Sequence, residues 1–307
     1  MSEVSESGAS APKKGSRKKR IAKFVVKLAV SLAALYFAYT KIDFQAFKEN
    51  LREANLWWFA LAVLSFNGSK IIAALRLRQF YANVGLVLGH VYNLKLYYLG
   101  MFYNLFLPGA IGGDAYKVYI LRGSEKIKTK SLIWATLADR ISGLCLLVVL
   151  GGGFYFASHF PIWEEHLITI GVIAAVLFCL PAFYFGFRWI LDKQVVQKFW
   201  KTTSYSFWVQ LGQVASAMCL LYALHVDANY MDYLTLFMLS SVAAVIPLTI
   251  AGVGMRELVF LYGTSYLLIS EDKAVAFALL FFFSMAISSL FGVIFAFKPI
   301  DQDISYP

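Results

Sequence analysis

Long apolar segments recur along this chain and constrain its fold more than any other feature. Residues 167–187, for example, contain no Asp, Glu, Lys or Arg. A segment of about 20 apolar residues can cross the hydrocarbon core of a bilayer as a helix. Comparable segments occupy residues 21–40, 56–75, 131–157, 206–225 and 274–297. The pattern predicts an all-α polytopic membrane protein with about six full spans.

Composition and charge agree with this class. The chain is 60% hydrophobic and 15% charged, whereas soluble domains average about 45–50% apolar and about 25% charged residues. The net charge of +10 comes from basic residues in the N-terminal tail and short loops, which the positive-inside rule explains better than a nucleic-acid partner. We therefore expect a multi-pass protein of the cytoplasmic (inner) membrane, with both termini in the cytoplasm and no nucleic acid bound.

The chain divides into one membrane domain and two tails. Residues 1–20 are rich in Ser, Gly and Lys and predict a disordered basic cytoplasmic tail. Residues 21–298 form a single transmembrane domain, and residues 299–307 a short C-terminal tail. The three cysteines lie in different apolar runs and the four histidines are scattered. We therefore expect no disulfide, metal site or cofactor.

The segment YNLFLPGAIGGDAYKVY at residues 103–119 interrupts an apolar run with a proline and three glycines. Non-helical backbone at membrane depth is tolerated only where protein, water or a ligand satisfies its polar groups. The helix that restarts offers the free amides of Gly112 and Gly113 and a partial positive charge, which suit an anion such as phosphate. This segment is therefore the first candidate binding site.

Three polar side chains belong to this first interruption. Asp114 and Lys117 are three residues apart, on the same face of the restarted helix. Asn104 precedes the bend and is a candidate for lining a headgroup pocket. The alternative is that Asp114 only caps the helix and Lys117 extends to the cytoplasmic interface.

A second interruption, IPLTIAGVGMRE at residues 246–257, has the same composition. Gly252 and Gly254 form its bend, and Arg256 and Glu257 follow. Arg256 is the stronger ligand candidate, because a guanidinium can hold a phosphate through two hydrogen bonds.

Asp139 and Arg140 lie inside the span at residues 131–157, where ionisable groups are costly and usually functional. The alternative is a structural ion pair with another helix, for example with Lys117 or Glu257. Arg76 and Arg78, at the end of the preceding span, are interpreted as cytoplasmic anchors.

The loop charges suggest how the two interruptions are oriented. A single crossing at residues 90–107 would place the basic loop at residues 122–130 outside the cell. A re-entrant hairpin, or two short crossings, would return that loop to the cytoplasm. The second interruption can enter from the opposite side, which predicts two broken elements forming an inverted repeat with a substrate site where they meet.

Three motifs support a family resemblance: NLFLPGAIGGDAYKVY at residues 104–119, LADRISGL at residues 137–144, and the second interruption. In this order they resemble the transmembrane flippase-like family. This family includes the membrane half of the lysylphosphatidylglycerol synthases (multiple peptide resistance factors), which moves the aminoacylated lipid between leaflets. Stand-alone members are linked to polyprenol-sugar and hopanoid lipid pathways. Lys117 stands where the family usually has Arg, and Asp139 stands where it often has Glu.

The resemblance and the residues together favour a lipid transporter or flippase for an anionic phospholipid or a polyprenyl-phosphate-linked lipid. An enzyme is disfavoured, since the chain ends ten residues after Phe297 and we expect it to lack the aminoacyl-transferase domain of the synthases. The alternatives are a membrane enzyme or accessory subunit of envelope lipid glycosylation, or a purely structural partner. A membrane lipid is the expected ligand, a lipid-modifying enzyme is a candidate partner, and the sequence is compatible with an oligomer.

Overall fold

The computed structural model describes residues 44–106, 112–122, 127–160, 166–245, 254–267, 269–297 and 303–305. These residues are almost entirely helical. The helices are α1 Phe44–Glu53, α2 Leu56–Asn83, α3 His90–Phe106, α4 Gly112–Leu121, α5 Thr129–Ala157, α6 His166–Phe185, α7 Phe199–Ala223, α8 Tyr230–Ala243, α9 Met255–Gly263, α10 Glu271–Leu290 and α11 Val293–Phe297. A π-helical turn, Gly186–Ile190, continues α6.

Extended structure in the described part of the chain is limited to one short ladder. Strand β1, Val87–Leu88, pairs antiparallel with β2, Ile304–Ser305. Part of the C-terminal tail is therefore attached to the loop that precedes α3.

Four of the described helices are long and apolar enough to cross a membrane: Leu56–Asn83, Thr129–Ala157, His166–Ile190 and Glu271–Ala296. They confirm the all-α membrane class and correspond to four of the expected spans. Helix α7 also has 25 residues, but it is less apolar and buries Thr202, Ser206 and Gln210. The span expected at residues 21–40 lies outside the described residues.

Helices α2 and α7 pack closely because small residues line their contact. A Cβ added at Gly212 would lie 2.9 Å from the Ser69 Cβ. Ser65 Oγ donates to the Gly212 carbonyl at 3.0 Å, and Ser216 Oγ donates to the Ala62 carbonyl at 2.9 Å. Small residues and interhelical hydrogen bonds are the usual means of joining helices in lipid, where burial of apolar surface gives no driving force.

Two apolar clusters pack at different levels of the helix bundle. One includes Phe66 of α2, Leu221 of α7 and Phe277 of α10, and the other includes Leu77 of α2 and Phe199 of α7. Between these levels α2 and α7 bury several polar side chains, alongside Ala73, Ala74 and Val209: Ser69, Arg76, Thr202, Ser206 and Gln210. The two helices thus carry a polar layer between two apolar ones.

Helix α6 lies at the edge of the bundle. Only 6% of its most apolar 18-residue stretch is buried. Its outward-facing side chains, such as Leu167 and Phe178, are apolar and exposed. It packs against α5, where Gly152 allows Val176 to approach closely. An apolar face of this kind is suited to lipid.

Each interruption joins two helices that pack against each other, α3 with α4 and α8 with α9. The Gly113 Cα faces the Gly100 carbonyl so closely that no Cβ would fit. At the second interruption, Gly263 of α9 lies close to the Leu236 side chain of α8. The bends themselves, residues 107–111 and 246–253, lie outside the described residues.

The close contact of α2 and α7 predicts a specific sensitivity. Gly212→Ala should lower the free energy of unfolding by about 1–3 kcal/mol, because overpacking displaces Ser69. Gly68→Ala is the matched control, since no atom outside its chain neighbours and its own helix backbone lies within 4 Å of the added Cβ. Reversible denaturation in detergent measures both, and equal stability of the two variants would contradict the close packing.

Candidate functional site

A buried ion pair connects α2 with α5. Arg76 Nε donates to Asp139 Oδ1 at 2.7 Å, and both side chains are less than 10% exposed. Arg76 also donates to Ser206 Oγ of α7 at 2.9 Å, and Ser206 and Ser142 share a hydrogen bond of 2.6 Å. A buried charge without such partners would be strongly destabilising, so this network holds three helices in register.

A second ionic cluster connects α4 with α5. Asp114 accepts from Lys117 Nζ at 2.6 Å and also pairs with Arg140 Nε. The Lys117 stem packs against Gly100, and its ammonium lies over the Tyr97 ring, 5.1 Å from the centroid. Lys117 is thus buried and paired, and does not extend to the interface.

The amide of the restarted first helix already has a partner. Gly113 N donates to Asn104 Oδ1 at 2.8 Å. This contact satisfies an N-terminal amide of α4 with a side chain of α3. Gly112 is half-buried in the same turn.

At the second interruption, the first amide of the restarted helix also has a side-chain partner. Gly254 has a φ of 85°, which favours glycine, and its amide donates to Glu257 Oε2 at 2.7 Å. Glu257 therefore caps its own helix. Arg256 donates to Ser241 Oγ at 3.1 Å and lies over the Phe281 ring, 4.9 Å from the centroid.

A central polar cavity of about 290 Å³ lies where both interruptions approach the spans. Three cationic side chains line it: Lys70 of α2, Arg140 of α5 and Arg256 of α9. Its other polar lining residues are neutral, and no carboxylate belongs to the described lining. The cavity is lined by Phe66, Lys70, Tyr97, Met101, Asn104, Leu105, Arg140, Leu147, Gln213, Ser241, Ala244, Val245, Arg256, Phe281, Met285 and Ser289.

A larger apolar cavity of about 650 Å³ adjoins the polar one. It lies among α5, α6, α8 and α9, and Gly151 and Gly152 of α5 form part of its wall. Leu147 lines both cavities. The two cavities therefore share part of their wall at Leu147. The smaller one is lined by cationic side chains as well, and the larger one is lined mainly by apolar side chains.

The family model described as the lysylphosphatidylglycerol synthase TM region matches residues 24–292. The chain belongs to this family. It is a multi-pass membrane protein, and the match is to the transmembrane region of the synthases. No curated protein matches the sequence.

For this member of the synthase TM-region family, the structure brings some of the expected site residues together. Asn104, Arg140 and Arg256 line the polar cavity, and Asp114 and Lys117 join it through Arg140. Asp139 pairs with Arg76 rather than with Lys117, and Arg140 forms its ion pair with Asp114 rather than with Glu257. Gly252 lies outside the described residues.

The structure gives Arg76 and Lys70 roles that the sequence analysis did not assign to them. Arg76 is 5% exposed, so its interpretation as a cytoplasmic anchor is wrong; it is a buried structural partner. Arg78 donates to the Leu88 carbonyl. Lys70 was not singled out, although a lysine inside the apolar run at residues 56–75 is the signal that marks functional sites in membranes.

The potential for metal binding is limited in the described part of the chain. No group of three or more His, Cys, Asp or Glu side chains lies close enough to hold a metal ion there. The lining of the polar cavity offers cationic side chains and neutral hydrogen-bond donors, which are groups that suit an anion.

The Arg76–Asp139 pair predicts a characteristic response to mutation. Asp139→Asn should lower the free energy of unfolding by about 3–5 kcal/mol, because it leaves the Arg76 charge buried without a counter-charge. The double variant Arg76→Met/Asp139→Leu should recover most of this loss, since it removes both charges. Denaturation in detergent measures both, and a double variant no more stable than Asp139→Asn would reject this account.

Proposed function

We propose that this protein moves an anionic lipid between the leaflets of the cytoplasmic membrane. The family is associated with lipid translocation. The observation that carries the proposal is the pair of cavities that share Leu147, one lined by cations and one by apolar side chains. An anionic amphiphile matches both surfaces at once.

The polar cavity suits a lipid phosphate. Arg140 and Arg256 can each donate several hydrogen bonds, and guanidinium groups bind phosphate through paired N–H donors. Lys70 adds a point charge, and Gln213 and Ser241 add neutral donors within the same wall. Hydrogen bonds involving charged groups contribute about 1.5–3 kcal/mol each.

The apolar cavity suits the hydrocarbon chains and communicates with the outer surface of the bundle. Ile168 of α6 and Leu239 of α8 line the cavity and are also exposed, at 45% and 53%. Tyr262 of α9 and Tyr266, just after α9, also line the cavity and are exposed. A lipid chain can therefore reach the cavity sideways from the bilayer while its headgroup occupies the polar space.

The route across the membrane would use the two broken elements. The α3–α4 pair contributes Tyr97 and Asn104 to the polar cavity, and the α8–α9 pair contributes Ser241 and Arg256. We propose that the pairs are re-entrant hairpins of an inverted repeat, entering from opposite sides, with both chain termini in the cytoplasm. Their packing as hairpins supports this arrangement, which in transporters gives alternating access to a central site.

Reconstitution tests the function directly. Vesicles containing the protein and acyl-labelled phosphatidylglycerol should lose fluorescence from both leaflets when a membrane-impermeant quencher is added outside. Arg140→Gln and Arg256→Gln should each slow this loss about 10-fold or more, since each removes a charged donor. Arg188→Gln is the matched control, because Arg188 is exposed and outside both cavities. Equal rates in all variants would reject the proposed site.

The same vesicles separate transport from the alternative roles. An enzyme of lipid glycosylation would convert the labelled lipid when a sugar donor is supplied, and chromatography would reveal the product. A purely structural partner would produce neither quenching of the inner leaflet nor product. Either result would replace lipid transport as the function.

Site-directed labelling tests the two-sided access. With the three native cysteines replaced by alanine, Asn104→Cys and Ser241→Cys should each react with an impermeant thiol reagent from either side of the membrane. The reason is that both residues line the central cavity, which alternating access exposes to each side in turn. Lys130→Cys, exposed in the first turn of α5, is the one-sided control. Reaction of both cavity positions from a single side would contradict an inverted repeat.

A further inference from the structure

The charges around the polar cavity do not cancel. Five cations lie in or directly behind its wall: Lys70, Arg76, Lys117, Arg140 and Arg256. They face three carboxylates, Asp114, Asp139 and Glu257. The bends outside the described residues contain no ionisable side chain. With all of these groups ionised, two positive charges remain among the residues that the structure describes.

The carboxylates are also committed elsewhere. Asp139 pairs with Arg76, and Asp114 is shared between Lys117 and Arg140. Glu257 accepts from the Gly254 amide, and in the described part of the chain no Glu257 oxygen lies within 4 Å of an Arg256 nitrogen. None of them is a direct partner of Lys70 or Arg256.

Lys70 and Arg256 are held by groups that leave their charge uncompensated. The Lys70 ammonium lies over the Phe66 ring, 4.3 Å from its centroid, and Arg256 lies over Phe281. The two rings contact each other edge to face, with centroids 5.6 Å apart. Aromatic faces attract cations through their quadrupole but carry no net charge, so this pair of rings positions two cations beside the cavity without neutralising them.

Arg256 also keeps a spare donor. Among the described residues its Nε is buried and has no hydrogen-bond partner, while its Nη1 donates to Ser241. A buried unsatisfied donor of a charged group costs more than a neutral one. An anion in the cavity would satisfy it.

We propose that the headgroup bound in this cavity is a dianionic phosphate, that is, a lipid phosphomonoester, and that Lys70 selects it over a phosphodiester. A phosphomonoester carries about −1.5 to −2 charges at neutral pH, which matches the two uncompensated positive charges. A phosphodiester carries one charge and leaves one cation unmatched. A lysyl-bearing headgroup would add positive charge to a site that already has an excess.

This inference rests on the proposed function and is tested by headgroup selectivity, not by transport. Purified protein in detergent is titrated with dioleoyl phosphatidic acid and dioleoyl phosphatidylglycerol, which share their chains and differ in phosphate charge. At about pH 8 the monoester should bind about 10-fold more tightly or better. At about pH 5 the advantage should fall below about 3-fold, because the second phosphate proton dissociates near pH 6.

The lysine is tested in the same assay. Lys70→Gln should reduce the monoester advantage at the higher pH to less than about 3-fold, and should weaken phosphatidylglycerol binding less than phosphatidic acid binding. Lys130→Gln is the matched control, since Lys130 is exposed and is not among the residues that line the cavity. It should keep the advantage of the unmodified protein.

The outcomes distinguish this inference from the proposed function. Equal affinity for the two lipids at both pH values, in a protein that still moves phosphatidylglycerol across vesicles, would overturn the monoester preference and leave lipid transport intact. A preference that survives Lys70→Gln would overturn the assigned role of Lys70. Failure to bind or move either lipid would reject the proposed function itself.

Discussion

A charged side chain inside a membrane protein needs a counter-charge or a well-placed neutral partner, because the surroundings solvate it poorly. The structure meets this need with contacts between helices that are distant in sequence. The Arg76–Asp139 pair joins α2 to α5, and Ser206 adds α7. Asp114 joins α4 to α5 through Arg140. These ionic contacts therefore fix α2, α5 and α7 relative to one another, and α4 relative to α5.

The same need governs the backbone at the two interruptions. The amide of Gly113 is satisfied by Asn104, and that of Gly254 by Glu257. Each helix start thus donates a hydrogen bond to a side chain of the protein, and at Gly113 this bond involves an amide that the sequence suggested would be free for a phosphate. The structure adds the side-chain cations of a cavity wall to the anion-binding candidates that the sequence placed at a helix terminus.

Much of the fold follows from the sequence, because lipid makes apolar length and composition decisive. Four of the expected spans and the family are confirmed, and the cavity draws on residues from all three motifs. The partners of the buried ion pairs could not be predicted from the sequence in the same way. Asp139 and Arg140 are neighbours in sequence but diverge around the helix, one toward Arg76 and one toward Asp114. Which partner each meets depends on the packing of α2 and α7, set by small residues such as Gly212 that carry no charge signal.

Of the three cations that line the polar cavity, only Arg140 has a carboxylate partner in the described part of the chain. This difference suits a site that must release its ligand better than one that retains it. Lys70 and Arg256 lie over aromatic rings and have no carboxylate oxygen within 4 Å among the described residues, whereas Arg140 already shares Asp114. A ligand that gained three uncompensated cations in a low-dielectric space would bind too tightly to leave. Under the proposed function, the Asp114–Arg140 contact moderates that attraction, since transport requires a site favourable enough to enter and weak enough to release its ligand.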